Sequence, residues 1–323
     1  MQSSRSTFKP LAGLFALLAA ATLASAAHAA YPERPITMVV NFGPGGVTDL
    51  MARALASGME KDLGQPVVIQ NKPGALGTLG PAYVAKQAPD GYTLAIVSAS
   101  VVTTTPHLMD VSVKPEDLVH VAGFGKNRYG IVVRQDSPFK TVADLVQTAK
   151  GSQSVFFGSP STPNSLIFFD LGRKTGGKFE LISYKAGPEA SLALLGGQVA
   201  VIAANPPDVM SHLQAGKLRL LASGSSQRWP EYPDVPTLKE AGYDVSVEAW
   251  AGVAVPAGTP PAIAGRLESS MKRALEMPEV QAKIRQIGAD PEFMGGQAYT
   301  QYLMQEREKT GAIIKDAGIP RIK

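Results

Sequence analysis

The sequence predicts an α/β protein built as two lobes, and three observations support that prediction. From Ile36 onward, short apolar, β-branched runs alternate with stretches whose apolar residues recur at helical spacing, the signature of helices layered on mostly parallel sheets. The chain has 323 residues, about twice the common domain size of ~100–150 residues. The stretch after Pro260 reads as helix and carries no strand of its own. It must therefore pack on a sheet formed earlier, which makes the first lobe discontinuous in sequence.

Strands are expected at Ile36–Val40, Val67–Gln70, Leu94–Val97, Gly130–Arg134, Val155–Phe157, Glu180–Tyr184, Val199–Ala203, Leu218–Ala222 and Gly252–Val255. Helices are expected at Asp49–Leu63, Leu79–Gln87, Val142–Thr148, Ser165–Lys174, Glu189–Leu195, Pro207–Ala215, Ala262–Leu275, Pro278–Gln286 and Gln297–Ala317. In the first of these, Met51, Leu55, Met59 and Leu63 recur every four residues and make one buried stripe. Gly43-Pro44-Gly45-Gly46 links the first strand to that helix, which opens at Thr48 and Asp49. A second glycine-rich segment follows the second strand (Asn71, Pro73, Gly74, Gly77, Gly80), and Pro89-Asp90-Gly91-Tyr92 turns the chain into the third.

Residues 1–29 have the layout of a secretory signal peptide: Arg5 and Lys9, an apolar run from Leu11 to Leu23, then Ala27-His28-Ala29 at the cleavage position. The run is shorter than the ~20 residues of a membrane span. Export to a bacterial periplasm is the expectation, and no later segment is long and apolar enough to hold the mature chain in a bilayer. The chain has 31 basic and 27 acidic residues, two of the bases in the leader, so charge argues for neither nucleic acid nor an anionic surface. There is no cysteine, which excludes disulfides and thiolate chemistry.

An enzyme needs a nucleophile, an acid–base group and a stabiliser of developing charge. His107, His120 and His212 stand in no metal-ligand spacing, no G-x-S-x-G elbow occurs, and the Gly43–Gly46 turn lacks the lysine and hydroxyl of a P-loop. No catalytic residue, metal or cofactor is expected. Anion binding needs less. A glycine turn opening a helix offers unpartnered N–H groups at the positive end of the helix dipole. The segment Gly158–Ser165 has the same form, with Ser159, Ser161, Thr162 and Ser165 as hydroxyls. Ligands in open α/β sheets bind at strand carboxyl ends, where Asn205 also falls. Trp250 reads either as a core aromatic or as a cleft wall.

The order of these pieces, together with Tyr184-Lys185-Ala186-Gly187, Leu194-Leu195-Gly196-Gly197-Gln198-Val199, Ala215-Gly216-Lys217-Leu218-Arg219, Pro233-Asp234-Val235-Pro236-Thr237 and Val255-Pro256-Ala257-Gly258-Thr259-Pro260-Pro261, resembles the Bug (TctC-like) family, the substrate-binding proteins of tripartite tricarboxylate transporters. The resemblance covers nearly all of the mature chain. It implies a two-lobed periplasmic-binding-protein fold of type II-like form: residues 31–128 plus 251–323 in lobe one, 129–250 in lobe two, two crossing segments as a hinge, and a ligand cleft between. It also implies a small carboxylate ligand and a membrane permease as partner, with the exported protein a soluble monomer.

Carried onto this chain, the family site comprises Phe42, Gly43, Gly46, Thr48 and Asp49 in the first loop and Ser98, Ser100, Val102 and Thr105 in the same lobe. Lobe two adds Ser159, Ser161, Thr162, Asn164, Ser165 and Asn205, with Trp250 beside the return crossing; Tyr184 and Lys185 are further candidates. Asp49 either holds the loop by capping the helix or meets an amino or hydroxyl group of the ligand. The chain departs from the family pattern at Asn41, Gly43, Val101, Val102, Thr105, Ser165 and Ala200, several of them polar in relatives. A less polar cleft is expected, suited to a carboxylate with an apolar or aromatic body such as terephthalate, against the alternative of an aliphatic di- or tricarboxylate. Two other classes compete with this reading: the effector module of a LysR-type regulator, which needs an N-terminal helix-turn-helix where this chain has the layout of a leader, and a secreted enzyme on the same scaffold.

Overall fold

A computed structural model of the chain describes residues 31–321. The predicted signal peptide lies outside the described residues. Two sheets organise the fold. The larger holds β1 (Ile36–Val40), β2 (Val67–Asn71), β3 (Thr93–Ser98), β4 (Leu118–Asn127), β10 (Ala249–Pro256), β11 (Ala289–Asp290) and β12 (Met294–Gly295), in the order β11-β4-β10-β3-β1-β2 with β12 also paired to β4. The smaller holds β5 (Gly130–Arg134), β6 (Val155–Ser159), β7 (Phe179–Ser183), β8 (Val201–Ala204) and β9 (Leu218–Ser223), in the order β7-β6-β8-β5-β9.

Among the named strands, parallel pairing joins β1 with β2 and β3, and β6 with β7 and β8. The strands flanking the two crossings, β4, β5 and β10, run antiparallel to their neighbours, so both sheets are mixed rather than mostly parallel. The chain passes from β4 to β5 through Arg128 and Tyr129 and returns into β10 at Ala249, which accounts for the reversal. β4 was not expected as a strand; His120, Gly123 and Gly125 interrupt its apolar run. The two-residue strands β11 and β12 also stand in the tail that was expected to hold none.

Alternation along each strand divides the core. Ile36, Met38 and Val40 face a cluster with Met51, Leu55 and Met59 of the helix Val47–Leu63 and with Leu267, Met271 and Ala274 of the helix Pro261–Glu276. Val39, Ala95 and Val97 face the opposite side, with Trp250, Tyr299 and Leu303. In the smaller sheet Ile131, Val133, Val201 and Ala203 face one cluster, while Val132, Ile202 and Ala204 face another around Trp229. The long C-terminal helix, Gly296–Asp316, contributes to both bodies: Tyr299 and Leu303 pack behind the larger sheet, and Ile313 and Ile314 pack with the core of the smaller.

Candidate functional site

A cleft of about 700 Å³ opens where the carboxyl ends of strands from both sheets converge. The sequence-derived residues meet there with four exceptions: Asp49, Val102, Tyr184 and Lys185. Phe42, Gly43, Gly46, Thr48, Ser98, Ser100, Thr105 and Trp250 line it from the larger sheet, and Ser159, Ser161, Thr162, Asn164, Ser165 and Asn205 from the smaller.

Val102 does not line the cleft. With Val101 it lies on the buried side of the helix Ala99–Thr103, in the cluster that includes Val39 and Trp250. Ala200 is exposed and outside the lining, so these departures from the family pattern leave the polarity of the cleft unchanged. Lys185 is exposed and Tyr184 packs on the Trp229 cluster, neither in the lining. Asp49 lies buried beneath the first loop. Its carboxylate accepts from the N–H of Gly45 at 2.9 Å, from Arg53 at 2.9 and 3.1 Å and from Asn71 at 2.8 Å, and these bonds, Arg53's charge among them, outweigh burial and hold its pKa below the usual carboxylate range. Gly46 occupies the N-cap itself, so Asp49 fixes the turn from within the first helical turn. Gly45 has φ 79°, which glycine adopts without strain.

Two helix starts face the cleft with donors. Gly46, Val47 and Thr48 open the first, and Ser161, Thr162 and Asn164 open the helix Thr162–Thr175. The second start is tied together internally: Ser161 donates its hydroxyl to Asn164 Oδ1 at 2.6 Å, and Ser159 and Ser165 donate theirs to the Ser161 carbonyl at 2.9 and 3.0 Å. Asn164 donates to the Ala203 carbonyl and to Asn205 Oδ1, and Asn205 donates to the Arg128 carbonyl at 2.9 Å. These side chains shape the loop and carry its position through to the crossing segment. Among the described residues, the side-chain hydroxyls of Thr48, Ser98, Ser100, Thr105, Thr162 and Ser183 line the cleft without a hydrogen-bond partner in the protein.

A third helix start, Pro206–Gln214, differs. Its first two residues are prolines without N–H groups, and Asp208 in its first turn is the one charged side chain in the lining. Burial pushes the Asp208 carboxyl above its ordinary range. Sequence reasoning missed Asp208 as well as Leu76, Asn127, Tyr129, Leu181 and Ser183. Ser183 was accessible from the alternation of β7 and Asp208 from its place after a strand end; the others depend on how the lobes face each other. Trp250 serves in both expected ways, since it is 3% exposed, packs against Tyr299 and Tyr302, and still forms part of the cleft wall. His120 is buried edge-on to Tyr299, and burial lowers its pKa to about 4, keeping it neutral as a packing residue.

Two α/β bodies joined at a cleft lined by helix starts and hydroxyls define a protein of the solute-binding class. The family model described as "Tripartite tricarboxylate transporter family receptor" (TctC) matches residues 51–319, and the chain belongs to that family. It is 36% identical over 325 residues to the UPF0065 protein in gbd 5'region of Cupriavidus necator, covering 98% of this chain and 99% of the relative. It is 34% identical to the protein BugT of Bordetella pertussis, covering 89% and 90%. Among solved structures, a TctC solute-binding protein from Polaromonas aligns with TM-score 0.78 at 30% identity, over 88% of this chain and 99% of that one. A protein of R. palustris with adipate aligns with TM-score 0.76 at 29% identity, over 90% and 100%. MatC of Rhodopseudomonas palustris with bound malate aligns with TM-score 0.71 at 28% identity, over 88% and 100%.

Proposed function

We propose that this protein is a periplasmic receptor, exported by residues 1–29, that takes a small organic carboxylate into the cleft and presents it to the membrane permease of a tripartite tricarboxylate transporter. One observation carries the reading. The cleft is large enough for such a ligand, sits at strand carboxyl ends of both sheets, and is lined by two donor-rich helix starts and no cationic side chain. A carboxylate there is met by fixed N–H dipoles and hydroxyls, which suits reversible capture without chemistry. The neighbours holding adipate and malate support the same ligand class. The lobes are taken as residues 31–128 with 251–323, and 129–250, and the protein as a soluble monomer.

Within that class the lining favours a ligand with an apolar or aromatic body. Phe42 and Trp250, two of the residues behind this preference in the sequence, stand among the donors together with Leu76 and Leu181, while Val101, Val102 and Ala200, which also suggested it, lie outside the lining. Terephthalate is the ligand proposed for this arrangement: each carboxylate would meet one donor-rich helix start, and the ring between them would gain ~25 cal/mol per Å² removed from water. Competition calorimetry with terephthalate, benzoate, succinate and citrate tests it. Terephthalate is expected to bind tightest, and benzoate about ten- to a hundredfold more weakly for want of charge-assisted bonds worth ~1.5–3 kcal/mol. Citrate or succinate binding more tightly than both aromatic acids would overturn the aromatic preference, and no binding by any of the four would overturn the receptor reading.

A further inference from the structure

Ala75 and Leu76, at φ 47° and 51°, are the two non-glycine residues with positive φ among those described. Side chains adopt this left-handed region when the surroundings enforce it, and such residues gather at ligand clamps and functional loops. The surroundings here are specific. Gly77 N–H donates to the Gly74 carbonyl at 2.9 Å, Thr78 donates its hydroxyl to the Ala75 carbonyl at 2.9 Å, and buried Asn41 at the end of β1 donates to the Gly77 carbonyl at 3.1 Å. The loop is thereby pinned against the first cleft loop: a Cβ at Gly77 would lie 2.8 Å from Asn41 and 3.1 Å from Phe42. Glycine would hold the conformation at position 76 without strain, yet the chain carries leucine there, 47% exposed and in the cleft lining.

The smaller sheet presents a counterpart. Leu181 lies on β7, the edge strand of that sheet, on the same strand face as Ser183, and both line the cleft; Leu181 is 41% exposed. A single exposed leucine needs no explanation. Two of them in the lining of one cleft, one from a loop after β2 of the larger sheet and one from β7 of the smaller, with the first in an enforced backbone conformation, call for a shared role.

We propose that Leu76 and Leu181 form an apolar clasp that meets over the body of the bound ligand when the cleft closes, and that this pair sets the preference for an apolar over a polar ligand body. The proposal rests on the carboxylate-receptor reading above and assigns its specificity to these two residues. The carboxylates stay with the helix starts, while the clasp covers what lies between them. Each leucine has about half its apolar surface left to bury, which corresponds to about a three- to tenfold contribution to affinity for a ligand that fills the space.

The test is calorimetric titration of the parent protein and of Leu76→Gly, Leu76→Asn and Leu181→Ser with terephthalate, adipate and malate. Glycine and asparagine both accept a left-handed backbone, so the two position-76 variants are expected to keep the parent's thermal midpoint, and asparagine separates loss of apolar surface from gain of flexibility. Each substitution is expected to weaken terephthalate and adipate by about three- to tenfold while malate changes less than twofold. Equal changes for malate and terephthalate, or no change for any ligand, would overturn the clasp and leave the receptor reading standing. A parent that binds none of the three acids overturns both.

Discussion

Asp208 faces the cleft as its one charged side chain, among dipoles arranged for anions. Because burial raises its carboxyl pKa, it takes up a proton at a higher pH than an exposed aspartate does. Falling pH therefore neutralises Asp208 before it neutralises an exposed aspartate, and affinity for a dicarboxylate should rise as that proton is taken up, until the ligand itself protonates. Asp208→Asn should tighten dicarboxylate binding about three- to tenfold at pH 7, the scale of one partly screened charge across a cleft, and should flatten the pH dependence. Titrations at pH 7 and pH 5.5 on both proteins read this directly; an asparagine variant that binds more weakly would mean that the carboxylate holds the ligand. The same residue marks the boundary of what the sequence reveals. A glycine turn or a Ser-Pro-Ser-Thr segment before a helix declares its chemistry locally, so Thr48 and Thr162 are legible as residues that reach the cleft lining. Whether Val102 points into a cleft or a core depends on which side of a five-residue helix it occupies, and no local pattern encodes that.

At the scale of elements, the contact between the helices Val47–Leu63 and Pro261–Glu276 depends on one small residue. A Cβ at Gly58 would lie 2.7 Å from the Ala274 Cβ and 3.0 Å from Val280 Cγ2. Glycine costs a helix interior ~1 kcal/mol relative to alanine, and close approach compensates here. Gly58→Ala should therefore destabilise the protein despite its better helix propensity. Overpacking of ~1–3 kcal/mol offsets or exceeds the propensity gain, and the expected net loss is up to about 2 kcal/mol, read as a thermal midpoint lower by several degrees. A higher midpoint would show that the helices separate without cost. The stripe Met51, Leu55, Met59 and Leu63 made this helix legible because four apolar residues repeat at one spacing. β4 was hidden for the converse reason. It lies centrally between β10 and the short strands β11 and β12, where two glycines give close approach: a Cβ at Gly123 would meet Trp250 and Tyr299, and one at Gly125 would meet Met51. Glycines that serve tertiary packing look, in sequence, like the end of a strand.

For the whole molecule, the two crossings carry ion pairs that reach between segments far apart in sequence. Lys126 pairs with Glu248 at 3.4 Å and Glu292 at 2.8 Å, and buried Arg128 pairs with Glu231 at 2.6 Å and Asp290 at 3.5 Å. Two connecting segments held this way favour rotation of one body against the other over independent loosening. Saturating ligand should accordingly reduce the radius of gyration in small-angle scattering, and an unchanged radius would mean a rigid cleft. The C-terminal helix adds a constraint that the expectation of two crossings did not contain. It packs behind the larger sheet through Tyr299 and Leu303, donates from Lys309 to the Ser246 carbonyl at 3.0 Å, and ends in the core of the smaller sheet at Ile313 and Ile314. Its last turn must travel with the smaller body, while Glu33, just before β1, travels with the larger. Because the native sequence has no cysteine, cysteines introduced at the exposed positions Glu33 and Lys315 would be the only sites for a pair of thiol-reactive dyes. The protein thus carries the framework of a fluorescent carboxylate sensor, in which energy transfer between two outer labels reports occupancy of a cleft that neither label touches.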